Sequence, residues 1–246
     1  MVNGRATTRW LTVASVFVAL VAAPAQDAPR QNLEVTAKIQ LPPPAGSSKS
    51  NKGGMPAAVL WLKPLTPGLS IPPQTPPHNG YTLQQKNKMF MPHLLVVPAG
   101  SVVMFPNADP FFHNVFSLFD GQRFDLGLYE AGKTKAITFS REGVSYIFCN
   151  IHSEMSAVVI ALSTPLYGIA DHDGDFRVGG VLSGDYELHL WIEGEQQAVL
   201  DRWVRKVHIS PVSLNLGTIV LGAAPQPPNH ENKFGQPYER NARPPY

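Results

Sequence analysis

Short apolar runs of about five residues recur between turn signals through the middle of the chain, and this rhythm limits the fold more than any other feature. Residues 93–97, 101–105, 135–139, 144–148 and 157–162 read as strands. Pro98, Ala99 and Gly100, then Gly121, Gly132 and the Arg141-Glu142-Gly143 stretch, punctuate them at the spacing of an antiparallel sandwich. Gly 20 and Pro 24 in 246 residues supply the turns, and charged residues are only 15%. No segment sustains helical periodicity over about twelve residues, which argues against a bundle or a coiled coil. The expected class is all-β.

Two further sets of strands flank this middle. Residues 33–41 alternate in strand fashion, and 57–63 form a second apolar run after a loop rich in Pro, Gly, Ser, Lys and Asn. A proline-rich stretch over 64–77 reads as an extended linker. Residues 163–221 hold another group of strands, and 222–246 has the composition of a disordered, proline-rich tail. The expected boundaries are a signal peptide over 1–25, N-terminal strands and linker over 26–82, a first sandwich over 83–162, a second over 163–221, and the tail.

The signal-peptide reading rests on Arg5 and Arg9 ahead of the apolar run 10–23, followed by Ala23-Pro24-Ala25. That run is short for a membrane span. Cleavage removes two of the 20 basic residues and none of the 18 acidic ones, so the mature chain is expected to be neutral and periplasmic, with no membrane span. A net charge of +2 before cleavage carries no footprint for nucleic acid. A chain exported to an oxidising compartment with one cysteine, Cys149, has no internal disulfide. That cysteine is an intermolecular bridge, an inert buried thiol, or a ligand or nucleophile protected by its site.

The neighbours of Cys149 favour a ligand. The run Cys149-Asn150-Ile151-His152-Ser153-Glu154-Met155 connects two predicted strands and offers a thiolate, an imidazole and a thioether. Phe112-His113-Asn114-Val115 places a second imidazole beside another strand. Two histidines, one cysteine and a weak axial methionine are the ligand set of a blue-copper site. Zinc would prefer water or a carboxylate to the thioether. A cysteine nucleophile would need an exposed thiol beside a base. Haem attachment needs a second cysteine. No two histidines are separated by a single residue, so the paired copper ligands of an oxidase are missing, and the chain reads as a carrier, not an enzyme.

The C-x-x-H-x-x-M loop, the upstream His-Asn after Phe105-Pro106-Asn107-Ala108-Asp109, and the Met89-Phe90-Met91-Pro92 and Gly100-Ser101-Val102-Val103-Met104-Phe105 segments together resemble the cupredoxins. Within that family they are most similar to the plastocyanin and amicyanin group. The resemblance covers about residues 83–162 and implies a Greek-key β-sandwich holding one type 1 copper ion. Carried over, the ligands are His113, Cys149, His152 and Met155. Asn114, Asn150 and Ile151 flank them. Asn114 matches the residue that in the family pins the ligand loop and offers its N–H to the cysteine sulfur. Ile151 stands where relatives usually have proline, so it restores a backbone N–H that proline lacks.

Residues 165–221, through Gly174-Asp175-Phe176, Gly184-Asp185-Tyr186, Leu188 and Leu190, resemble carboxypeptidase-regulatory-like (transthyretin-like) β-sandwiches. That likeness implies a second small sandwich with a binding or scaffolding role. Strands 33–41 and 57–63 either open this second sandwich, with the first inserted in it, or complete the first. His93 reads as a solvent-facing strand residue, and Asp171-His172-Asp173-Gly174 as a turn rather than a calcium loop. The functional expectation is single-electron transfer between larger redox partners, docked through apolar residues such as Phe111 or Phe112. Its alternatives are a copper-delivery module and a metal-free adhesion-like sandwich.

Overall fold

The computed structural model describes Met1 and residues 32–42, 55–118, 121–221 and 232–238. The signal-peptide expectation for residues 1–25 lies outside the described residues apart from Met1. Strand accounts for 53% of the described residues and helix for 3%, so the described chain is all-β, with several sheets. Among the described residues no helix is long and apolar enough to cross a membrane.

The strands run in order Leu33–Gln40 (β1), Ala58–Pro64 (β2), Tyr81–Thr82 (β3), Gln84–Lys86 (β4), Met89–Met91 (β5), Leu94–Pro98 (β6) and Ser101–Pro106 (β7). They continue with His113–Ser117 (β8), Phe124–Tyr129 (β9), Thr134–Phe139 (β10), Gly143–Phe148 (β11) and Ser156–Leu162 (β12). The last group is Tyr167–Ile169 (β13), Asp175–Val181 (β14), Gly184–Ile192 (β15), Arg205–Ile209 (β16) and Asn215–Val220 (β17), with one short helix, Gln197–Arg202 (α1), before β16.

The middle strands form a five-stranded sheet in the order β6-β12-β11-β8-β9 and a three-stranded sheet in the order β10-β7-β3. Side chains alternate across a strand, and one face of each sheet meets the other around Phe105, Val115, Phe139, Ile147, Cys149, Met155 and Val159. Pairing is not antiparallel throughout. β6 lies parallel to β12, and β3 parallel to β7. The chain crosses between sheets after β6 instead of turning back beside it, so β6 meets a strand that arrives much later. Gly100, with a φ of +92°, makes the turn from β6 to β7 in a conformation that favours glycine.

β1 and β2 take no part in these sheets. β1 pairs with β14 and β17, and β2 with β13 and β15. The chain thus begins one layer pair, builds β3–β12, and returns to finish the first. The two layers β14-β1-β17 and β13-β2-β15-β16 enclose their own core around Val35, Leu60, Phe176, Tyr186 and Leu190.

A third apolar cluster joins the two bodies. Val96, Val158, Ile160 and Leu162 on the outer face of the five-stranded sheet meet Val59, Trp191 and Leu200. β12 is therefore covered on both faces, which explains its unbroken apolar sequence, Ala157 to Leu162. His93 lies at this junction rather than facing solvent alone. Its Nε2 is 2.8 Å from Glu193 Oε1, and its Nδ1 is 3.2 Å from the Ser156 carbonyl.

Of the proline-rich tail, residues 222–231 and 239–246 lie outside the described residues, and 232–238 depart from the expectation. Residues 232–238 form a turn against the end of the first sandwich, where a disordered segment is expected from their proline-rich setting. The Asn232 side chain accepts the N–H groups of Phe234 and Gln236, and Gly235 takes a φ of +71°. Local side-chain bonds of this kind let a polar stretch hold a turn without an apolar core.

Candidate metal centre

The site is built where two ladders end. β11 pairs with β12 up to Phe148 opposite Ser156, and with β8 through Phe148 opposite Phe116. Cys149 follows the last paired residue. Its inward direction continues that of Ile147, while His113 opens the neighbouring β8 and points to the same core as Val115. The 149–155 loop is closed by its own backbone: the Cys149 N–H donates to the Met155 carbonyl (3.2 Å), and the Met155 N–H to the His152 carbonyl (3.0 Å). Both ends of the loop are thereby held beside the strand that carries His113.

Cys149 Sγ lies 3.8 Å from His113 Nδ1 and 3.6 Å from His152 Nδ1. All three donor atoms fall within 4.8 Å of one another. Bonds of about 2.0–2.3 Å to a common ion would give donor separations of about 3.5–4 Å in a tetrahedral or trigonal shell. The donor set therefore fits a soft or borderline cation without rearrangement. Cys149, His113 and Met155 are fully buried, and His152 is half-buried. Phe111 packs against both imidazoles, with ring centroids 5.2 Å from His113 and 5.7 Å from His152. Phe112, its neighbour, is 39% exposed.

The electrostatics keep the two imidazoles neutral. Burial, followed by His113 and Lys88, brings His152 down to about 4. Burial also lowers His113, outweighing the pull of Asp109. The Cys149 thiol is pushed up by burial, although the N–H groups of Asn114, Ile151 and His152 aim at its sulfur and favour the thiolate. A bound cation would displace the thiol proton and leave the lone pairs of both rings available.

Two features were not read from the sequence. Asp109 Oδ2 lies 2.8 Å from His113 Nε2, and its carboxylate also accepts the N–H groups of Asn87 (2.6 Å) and Lys88 (2.9 Å). Burial works against this carboxyl's charge, but those N–H groups and His113 outweigh it and hold Asp109 below its ordinary range. Its place four residues before His113 is the one signal in the sequence. The other is the tail: Tyr238 Oη donates to the Cys149 carbonyl at 2.9 Å, and the Lys233 N–H to Asn150 Oδ1 at 3.0 Å. Composition concealed it.

Asn114 differs from the role its resemblance implies. Its Nδ2 donates to Asp125 Oδ1 on β9 at 2.7 Å, and its buried Oδ1 has no partner among the described residues. It reaches the cysteine through its backbone N–H but does not pin the loop with its side chain. A second group of candidate ligand residues, Asp171, His172 and Asp173, is wholly exposed. Asp171 spends one oxygen on the N–H groups of Asp173 and Asp175, as a turn requires.

No family model matches the chain, and no curated protein matches it. Among solved structures it is similar to cupredoxins. A purple cupredoxin from Nitrosopumilus maritimus is 22% identical over 33% of this chain and 99% of its own, with a TM-score of 0.31. A copper-containing nitrite reductase from Thermus scotoductus is 24% identical over 42% of this chain and 26% of its own, with a TM-score of 0.33. Amicyanin from Paracoccus versutus is 23% identical over 35% of this chain and 84% of its own, with a TM-score of 0.32.

Proposed function

We propose that this chain is an exported type 1 copper protein that carries single electrons between redox partner proteins. The observation that carries this reading is the convergence of His113 Nδ1, Cys149 Sγ and His152 Nδ1 within 4.8 Å, with His113 and Cys149 buried and His152 half-buried. Met155, buried on the same loop, supplies the thioether that favours copper over zinc. Copper, when bound, supplies a one-electron couple between Cu(I) and Cu(II).

The protein's part is to hold the donors still. Two ladders and the loop's own hydrogen bonds fix the donor atoms, so little has to move when charge changes. Phe111 packs on both rings, and burial shuts water off from His113. Of the three donors, only His152 is not fully buried, so its ring edge is where a partner's redox centre approaches most closely. Phe111 packs on that ring, and the next residue, Phe112, is 39% exposed and suited to a partner docked by contact rather than by charge. The periplasm is the compartment proposed, with residues 1–25 as the export signal.

The visible spectrum of copper-loaded protein tests this reading. Intense absorption in the red, bleached by reduction and restored by oxidation without metal loss, is the expected result. A colourless or non-cycling copper complex overturns it.

A further inference from the structure

A seven-residue segment near the C-terminus, 232–238, touches the candidate metal loop through Lys233 and Tyr238, from far along the chain. Tyr238 is 89 residues from Cys149, and Lys233 is 83 from Asn150. Three contacts converge. Tyr238 Oη takes the carbonyl of Cys149, the Lys233 N–H takes the side chain of Asn150, and Lys233 Nζ reaches Asp125 Oδ2 at 2.8 Å. Asp125 is also the residue that receives the Asn114 amide, and the Asn114 N–H aims at the Cys149 sulfur. The segment thus grips the cysteine from two sides: directly through its carbonyl, and through Asp125 and Asn114 on the neighbouring strands.

The sequence of the segment suits that task. The turn closes on itself through Asn232, whose N–H donates to the Gln236 carbonyl at 2.9 Å, and Gly235 supplies the left-handed residue. Lys233 and Tyr238 are then presented from a preformed turn, so less entropy is lost when they bind the loop. The need for such a grip is also visible. The Asn114 side chain turns away to β9, leaving the 149–155 loop without that anchor.

We propose that residues 232–238 are a clamp that positions the candidate metal loop, with Tyr238 and Lys233 as its positioning residues. This rests on the copper reading above for its purpose, but the clamp itself exists without metal.

The test uses the full-length chain. Tyr238→Phe removes one donor and little else, and Lys233→Ala removes the contact to Asp125 while keeping the backbone N–H. In metal-free protein, hydrogen exchange at the Cys149 and Met155 amides is expected to rise about fivefold in either variant, the scale of one lost hydrogen bond. Lys233→Arg is expected to restore the wild-type rate. With copper, Tyr238→Phe is expected to speed metal loss to a chelator by a similar factor and to shift the reduction potential, with the blue band retained. Wild-type exchange at both amides in the double variant Lys233→Ala/Tyr238→Phe overturns the clamp. If the wild-type protein takes up no copper, the functional reading fails, while the exchange result still decides on the clamp.

Discussion

The buried Asp109 carboxylate faces Nε2 of His113 at 2.8 Å, while Nδ1 of the same ring faces the Cys149 sulfur at 3.8 Å. A charged carboxylate only accepts, so it selects the tautomer with the proton on Nε2 and leaves the Nδ1 lone pair turned to the site. The ring is oriented and its donor atom chosen in one contact.

Asp109→Asn therefore removes a negative charge that favours the oxidised, more positive state of a bound metal. The reduction potential is expected to rise by about 60 mV, which corresponds to about 1.4 kcal/mol for a one-electron couple. Voltammetry of the two copper-loaded proteins checks this. A lower potential in the variant would show that the carboxylate does not act on the site in this way.

Replacing the donors themselves separates their roles. Cys149→Ser is expected to abolish the charge-transfer colour, because a hydroxyl cannot stand in for a soft thiolate. Met155→Leu is expected to keep copper and raise the potential, since an axial thioether bonds weakly. Absorption spectra and copper stoichiometry of both variants decide it; a Cys149→Ser protein that stays blue refutes the ligand set.

Ile151 is expected to tune a bound metal through its backbone N–H. Three N–H groups, from Asn114, Ile151 and His152, point at the Cys149 sulfur and draw density from it. Ile151→Pro removes one donor and keeps an apolar side chain. The expected outcome is a lower potential with a nearly unchanged blue spectrum, the shift being moderated by the two donors that remain. An unchanged or raised potential in a properly assembled site contradicts it.

The junction between the sandwiches should respond to pH through His93. Its hydrogen bond to Glu193 raises it above its ordinary 6.5, against burial, so the folded protein holds this proton more tightly than the unfolded chain does. The pair therefore stabilises fully below the unfolded value and loses that contribution as pH rises through the folded one. With the His93 side chain 47% exposed, solvent screening limits the effect to under about 1 kcal/mol. His93→Gln is expected to lower the melting temperature at about pH 5.5 and to leave it nearly unchanged at about pH 8.5. An equal loss at both values in a thermal melt would assign the effect to packing.

Much of this protein was legible in its sequence, and the reason is locality. Apolar runs of about five residues between glycine and proline turns dictate strands through side-chain alternation alone. The spacing Cys149, His152, Met155 is set within one loop, so its residue types could be read before any fold was known. What depended on distant contacts could not be read. β1 and β2 had two sandwiches open to them, and only their ladders to β14, β17, β13 and β15 decided between them. His93 is exposed, as its sequence suggests, but its ion-pair partner Glu193 stands 100 positions away and could not be read. The Asp109 carboxylate is defined by a fold that buries it against a histidine and two N–H groups, not by any period in the chain. Residues 232–238 show the limit most sharply: their composition predicts disorder, because composition counts the apolar surface a segment can bury and not the polar groups elsewhere that wait for it. The sequence alone determined the all-β class, most of the longer strands and which residue types could bind a metal. The tertiary structure decided how those atoms are oriented and held, because each such contact joins residues that only folding brings within hydrogen-bonding distance.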